Sequence, residues 1–174
     1  GMCHIHPVEA MVFDSGKMDF GLGKYGLPDP EEVHRWSEDN KGEIVKILQD
    51  GGMVPDLVGT CKFFMYVGVE LEDYANMLEP VTGWEVSGED LLKSGERASN
   101  LQRLFNLRAG FTSADDQIPA RMKSRPEFGV YEGEPDCRIR DYQSMLVDYY
   151  RARGWDEKTG RPNSDKLEEL GLFP

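Results

Sequence analysis

The sequence has no closely spaced pair of cysteines. Cys3, Cys61 and Cys137 lie far apart and are odd in number. That excludes a dense disulfide framework and a CxxC metal site, and it fits a reducing cytoplasm. There is no apolar run near the roughly 20 residues needed to span a bilayer. His4, His6 and Glu9 interrupt the start, where a secretory signal would be apolar. Positive charge is scarce: 20 Lys+Arg stand against 32 Asp+Glu, a formal net charge of −12. Phosphate backbones and anionic lipid surfaces reward the opposite balance. Neither nucleic acid nor a membrane is therefore expected as a partner. Strand-like alternation, internal repeats and low-complexity tracts are missing too.

What is present is helical patterning in a chain of 174 residues, long enough to bury a core. The expected fold is all-α and multihelical, in two small helical subdomains. Residues 1–29 read as an irregular, glycine-rich N-terminal segment, 30–80 as the first subdomain and 81–174 as the second. Asp29, Pro30, Glu31 and Glu32 predict a helix start, and the helix is expected to run to Gly51-Gly52. Ser37-Glu38-Asp39-Asn40 is its weak point. Leu71, Tyr74, Ala75 and Leu78 have the spacing of a buried helix face, with Pro80 expected to stop it. Ser87, with Asp90 three residues on, caps a long helix to about Arg108. Leu91, Ala98, Leu101, Leu104 and Phe105 are its expected core face, and Arg97, Arg103 and Arg108 read as a solvated one. A long connection over 111–139 precedes a helix from Arg140 to Arg153 and a short last helix begun by Ser164.

Chemistry concentrates in Val54-Pro55-Asp56-Leu57-Val58-Gly59-Thr60-Cys61-Lys62-Phe63-Phe64. An acid, a glycine and a cysteine stand where a polar turn meets an apolar run. Gly59 permits positive φ or a close approach. Cys61 is either a small core residue or a thiolate directed at a ligand. Two weaker candidates accompany it. Cys3-His4-Ile5-His6 has metal-ligating residue types near the terminus. Asp115-Asp116 is open to three readings: a cap for a short helix, a partner for Arg121, or an acid/base or metal pair.

Four stretches together resemble the C-terminal region of the tungsten-containing aldehyde ferredoxin oxidoreductases. Asp56-x-x-Gly59-x-Cys61 is similar to that family's Asp-x-x-Gly-Leu-Cys, with Thr60 in the leucine position. Gly95-Glu96-Arg97-Ala98-Ser99-Asn100 through Gly110-Phe111 is the second stretch. Asp115-Asp116-Gln117-Ile118-Pro119-Ala120-Arg121 resembles Asp-Asp-x-Leu-Pro-x-Arg. The last is Tyr149-Tyr150-Arg151-Ala152-Arg153-Gly154-Trp155-Asp156, followed by Gly160-Arg161-Pro162. Order and spacing agree from about residue 40 to the end.

The resemblance implies oxidation of aldehydes to carboxylic acids, with electrons passed to ferredoxin. It also implies tungsten (or molybdenum) held by two pterin dithiolenes beside a [4Fe-4S] cluster. Under it, Asp56 hydrogen-bonds the pterin and Cys61 is one cluster ligand, with Gly59, Thr60 and Lys62 at the cofactor. His4 is similar to a histidine that the family places near the tungsten. A four-iron cluster takes four cysteine ligands, and the family's upstream CxxCxxxC-type run is not in this sequence. The chain alone is therefore expected to be incomplete as an enzyme. Its implied partners are the remaining domains, or a subunit carrying them. The alternative is a stand-alone, non-catalytic helical interaction module or relic domain with Cys61 merely buried.

Overall fold

The computed structural model describes residues 18–34 and 36–172. Among them the chain forms five α-helices: α1 (Lys41–Val58), α2 (Leu71–Thr82), α3 (Gly88–Arg108), α4 (Tyr142–Ala152) and α5 (Ser164–Glu169). Short 3-10 turns and loops join them. No strand forms among the described residues beyond an isolated antiparallel bridge between Trp155 and Pro162. The all-α expectation holds.

The helix expected over 30–50 is not one piece. Asp29 caps only a single 3-10 turn, Pro30–Glu32, by accepting from the Glu31 N–H. The break falls at the Ser37–Asn40 weak point, and α1 begins after Asn40 in the left-handed region. Nor does α1 stop at Gly51-Gly52. It runs through both glycines and through Pro55 to Val58. Proline inside a helix costs about 3 kcal/mol. Here Met53, Val54 and Pro55 are buried on that turn, and their burial offsets the cost. Gly51 is needed for space, since a Cβ there would lie 2.8 Å from Leu22. Similarly, α2 passes Pro80 and ends at Thr82, where Gly83 takes the left-handed cap. The Ser87–Asp90 capping box at the start of α3 forms as expected.

α1 is the central element, packed most extensively against α3 and then against α4. Both approaches need glycine. A Cβ on Gly95 of α3 would lie 2.0 Å from the Asp50 carbonyl, and one on Gly42 of α1 would lie 2.5 Å from the Tyr149 nitrogen. Ile44, Ile47, Leu48 and Val54 of α1 join Leu71, Tyr74 and Ala75 of α2 in the core. Residues 18–29 are irregular, as expected, yet they are not peripheral. Phe20, Leu22 and Leu27 are all core residues, and Leu22 has no exposure. On α3 the expected face is only partly right. Leu91 is buried, whereas Leu101 is 49% and Phe105 72% exposed.

A buried ion pair fixes where the helices meet. Arg153, just past α4, has no exposure, and its Nη1 donates to Asp50 Oδ1 of α1 at 2.5 Å. Arg153 Nη2 donates to Gln49 Oε1 at 2.7 Å, and Nε to the Tyr149 hydroxyl at 3.0 Å. Lys46 Nζ (3.0 Å) and the Ser99 hydroxyl (3.1 Å) complete the donors to Asp50. Burial works to lower the Arg153 pKa, but Tyr149 and the Asp50 carboxylate outweigh it and hold the guanidinium charged.

Two substitutions test this frame. Gly→Ala inside a helix ordinarily gains about 1 kcal/mol. Gly95→Ala is expected instead to lose about 1–3 kcal/mol through overpacking. An unchanged urea midpoint would show that α1 and α3 are not in this contact. Arg153→Met leaves the Asp50 carboxylate buried without its main partner and is expected to cost about 3–5 kcal/mol in the same assay.

Candidate functional site

The Asp56–Cys61 motif sits at the C-terminal end of α1. Gly59 closes the helix with φ +76°, a conformation suited to glycine, and its N–H reaches the Asp56 carbonyl at 3.3 Å. The Thr60 N–H donates to the Pro55 carbonyl at 2.8 Å, and its hydroxyl to the same oxygen at 3.4 Å. Cys61 then begins a 3-10 turn, Lys62–Val67, as its carbonyl accepts from the Phe64 N–H at 3.1 Å. The chain thus reverses tightly. Asp56 lies on the last turn of the helix and Cys61 just beyond the reversal.

Lys62 folds back across this turn. Its side chain is 9% exposed, and its Nζ stands 3.6 Å from Asp56 Oδ2, while the Asp56 side chain is 50% exposed. The carboxylate therefore has a cation on one side and open space on the other. Cys61 is free and exposed, so the reading in which it is merely buried does not hold. A Cβ on Gly59 would meet nothing within 4 Å. Leu57, Phe63, Phe64 and Val67 are exposed along the same stretch, Phe63 at 66% and Val67 at 77%. Tyr74 is nearly fully buried. Burial raises its phenol above the ordinary range, and the neighbouring Cys61 adds to the shift.

The acidic pair Asp115-Asp116 is divided between two structural tasks. Asp115 forms a capping box with Thr112. Asp116 pairs with Arg103, not Arg121: Nη1–Oδ1 is 3.1 Å and Nη2–Oδ2 is 2.7 Å. Tyr150 donates to the same carboxylate. Burial and the hydrogen bond to Asp116 push the Tyr150 phenol well above its ordinary range. Arg103 Nε also donates to the Gly160 carbonyl at 2.8 Å, and Trp155 Nε1 to Asn100 Oδ1 at 2.8 Å. Arg103 is buried, which corrects its reading as part of a solvated face. The signal that could have exposed it is its one-turn spacing from Ser99 and Asn100, which places three polar residues on one helix face. Cys3, His4 and His6 lie outside the described residues. Among the described residues no group of three His, Cys, Asp or Glu side chains could hold a metal ion.

The site therefore offers one thiol and one carboxylate on an exposed, partly apolar edge. That donor set fits a contribution to a cofactor held jointly with other polypeptide, and it is too small for a complete cluster site. A family profile described as aldehyde ferredoxin oxidoreductase, domains 2 & 3, matches residues 1–172. The chain belongs to this family.

The tungsten-containing aldehyde ferredoxin oxidoreductase of Pyrococcus abyssi is 39% identical over 145 residues, which is 83% of this chain and 22% of that protein. The enzymes of that name from Thermococcus kodakarensis and Pyrococcus furiosus are each 38% identical over the same length. The chain thus spans about a fifth of the length of these relatives. Among solved structures, the active site complex BamBC of benzoyl coenzyme A reductase, in complex with 1,5-dienoyl-CoA, aligns with TM-score 0.60 and 25% identity. The alignment covers 78% of this chain and 20% of that one. These likenesses agree with the all-α fold of the family's domains.

Exposure of Cys61 has a direct readout. Under native conditions iodoacetamide is expected to modify Cys61 about as fast as in the urea-unfolded chain, followed by peptide mass spectrometry. Strong protection relative to the unfolded chain would place the thiol in the core.

Proposed function

We propose that this chain supplies the C-terminal helical part of a tungsten-dependent aldehyde:ferredoxin oxidoreductase, one that converts aldehydes to carboxylic acids. The observation that carries the reading is the exposure of Cys61 and Asp56 together at the end of α1, beside uncovered Phe63 and Phe64. A tungsten (or molybdenum) bis-pterin with a [4Fe-4S] cluster supplies the oxidation and the electron path to ferredoxin when bound.

This chain's residues have narrower tasks. The Asp56 carboxylate accepts hydrogen bonds from the ring N–H and amino groups of a pterin, and Lys62, 3.6 Å away, helps to hold it in place. The Cys61 thiolate is one cluster ligand. Gly59 and Thr60 set the reversal that puts the two side chains on one edge, and the absence of a Cβ at Gly59 leaves room for close approach. His4 is assigned to the neighbourhood of the tungsten. The exposed apolar side chains around the motif exclude water once covered. The remaining cluster thiolates and the rest of the pterin cradle come from polypeptide outside these 174 residues. On this reading the isolated chain does not turn over, and the complete enzyme works in the cytoplasm. Among the described residues no helix is long and apolar enough to cross a membrane.

Anaerobic purification from source cells, followed by iron, tungsten and sulfide analysis, tests the proposal. Iron and tungsten are expected in a particle that contains this sequence and a CxxCxxxC-type run, on one polypeptide or two. Recovery of the chain alone and metal-free would overturn the reading and leave a helical interaction module.

A further inference from the structure

A second site lies at the other end of α1. The segment from Ala120 to Arg140 folds back over the N-terminal half of that helix. Its base is closed by the Ile139 N–H donating to the Met122 carbonyl at 2.9 Å. The N–H groups of Arg140 and Asp141 both donate to Glu38 Oε1, at 2.5 and 3.2 Å, which ties the segment to the turn before α1. The Trp36 and Tyr131 rings meet edge-on with centroids 5.4 Å apart. Between the segment and the helix lies an open cavity of about 990 Å³, at the upper end of the size usual for small-molecule sites. Trp36, Ile44, Val45, Met122, Phe128 and Ile139 form apolar parts of its lining.

The charged part of the lining is unbalanced. Arg121, Arg125 and Arg138 line the cavity, as do Lys41 and the acids Glu38, Glu127 and Asp136. Two of those acids are already engaged by Arg140: Asp136 at 3.1 Å and Glu38 at 3.8 Å. Among the described residues, Arg121, Arg125 and Arg138 have no carboxylate partner. Outside the cavity, Arg103, Arg151 and Arg153 each pair with a carboxylate, whereas Arg97, Arg108 and Arg161 have none among the described residues; only at the cavity do three such arginines line one space. Guanidinium groups present a planar fork that matches carboxylate and phosphate oxygens.

We propose that this cavity binds an amphipathic oxyanion: a carboxylate or phosphate head on an apolar body. The head pairs with the arginines, and the body lies against Ile44, Val45 and Phe128. Asp56 follows the cavity-lining Ile44 and Val45 by 11–12 residues of α1, about 17 Å of helix rise. The site is therefore separate from that edge, and the proposal does not depend on the oxidoreductase reading.

Isothermal titration of the chain with octanoate, octyl phosphate, 1-octanol and inorganic phosphate tests it, with the octyl compounds below micelle-forming concentrations. At least one octyl anion is expected to bind one-to-one, about tenfold or more tighter than octanol and than inorganic phosphate. The tighter of the two anions identifies the head. The double variant Arg121→Ala/Arg125→Ala is expected to lose about tenfold or more in affinity, while Arg161→Ala, at an exposed arginine outside the cavity, binds as the parent does. All replaced arginines are exposed, and unchanged circular dichroism confirms the fold. Octanol binding as tightly as the anions would overturn the proposal. So would a folded double variant with undiminished affinity, or no saturable binding by either anion.

Discussion

A carboxylate and a guanidinium, each cut off from water, meet where α1, α3 and the end of α4 converge. Neither Asp50 nor Arg153 tolerates that position without the other, because an unpaired buried charge costs several kcal/mol. Each is further held by neighbouring groups: Lys46 and Ser99 on the acid, Gln49 and Tyr149 on the base. Such a pair adds little net stability over a well-packed apolar substitute. What it does is choose a register. With the chain leaving α4 docked on α1 through this pair, Trp155 meets Asn100 and Gly160 meets Arg103. The loop bearing Asp116 is caught in turn by Arg103 and Tyr150.

That rigidity on one side contrasts with openness on the other. The far end of α1 terminates in a glycine cap, with an exposed acid on its last turn and an exposed thiol just past it, among uncovered aromatic side chains. Leu101, Phe105 and Phe111 make a further uncovered apolar group around the end of α3. An isolated soluble domain would bury such side chains or replace them with polar ones. Their exposure accords with a chain that spans about 22% of its relatives' length.

Local signals were the readable ones. The Ser87–Asp90 capping box, the apolar stripe of α2 and the helix through Tyr142–Ala152 depend on residues within a turn or two of each other. Contacts between distant residues were not readable. Asp50 and Arg153 are 103 positions apart, so nothing near either marks it as buried. Gly51-Gly52 and Pro80 read as helix stops, and the sequence does not display the tertiary burial that carries α1 past the glycines and Pro55. Phe20, Leu22 and Leu27 belong to the core without any periodicity to announce it. Leu101 and Phe105 show the opposite failure. Their spacing correctly marks an apolar face, but spacing cannot say whether the surface that covers it belongs to the same segment of polypeptide. The Asp56-x-x-Gly59-x-Cys61 spacing was visible, and only the fold showed that both reactive side chains are uncovered.

The clasp between Ile139 and Met122 makes the segment it encloses a nearly independent module. Its two ends are joined to each other and then anchored through Glu38, so its length adds little to the entropy of ordering the rest. Residues between the ends can be exchanged, lengthened or shortened without shifting α1 or α4. Natural variation can therefore reshape the mouth of the cavity while the ion-pair frame stays fixed. In this chain, change is cheap in the clasped segment and costly at the buried ion pair.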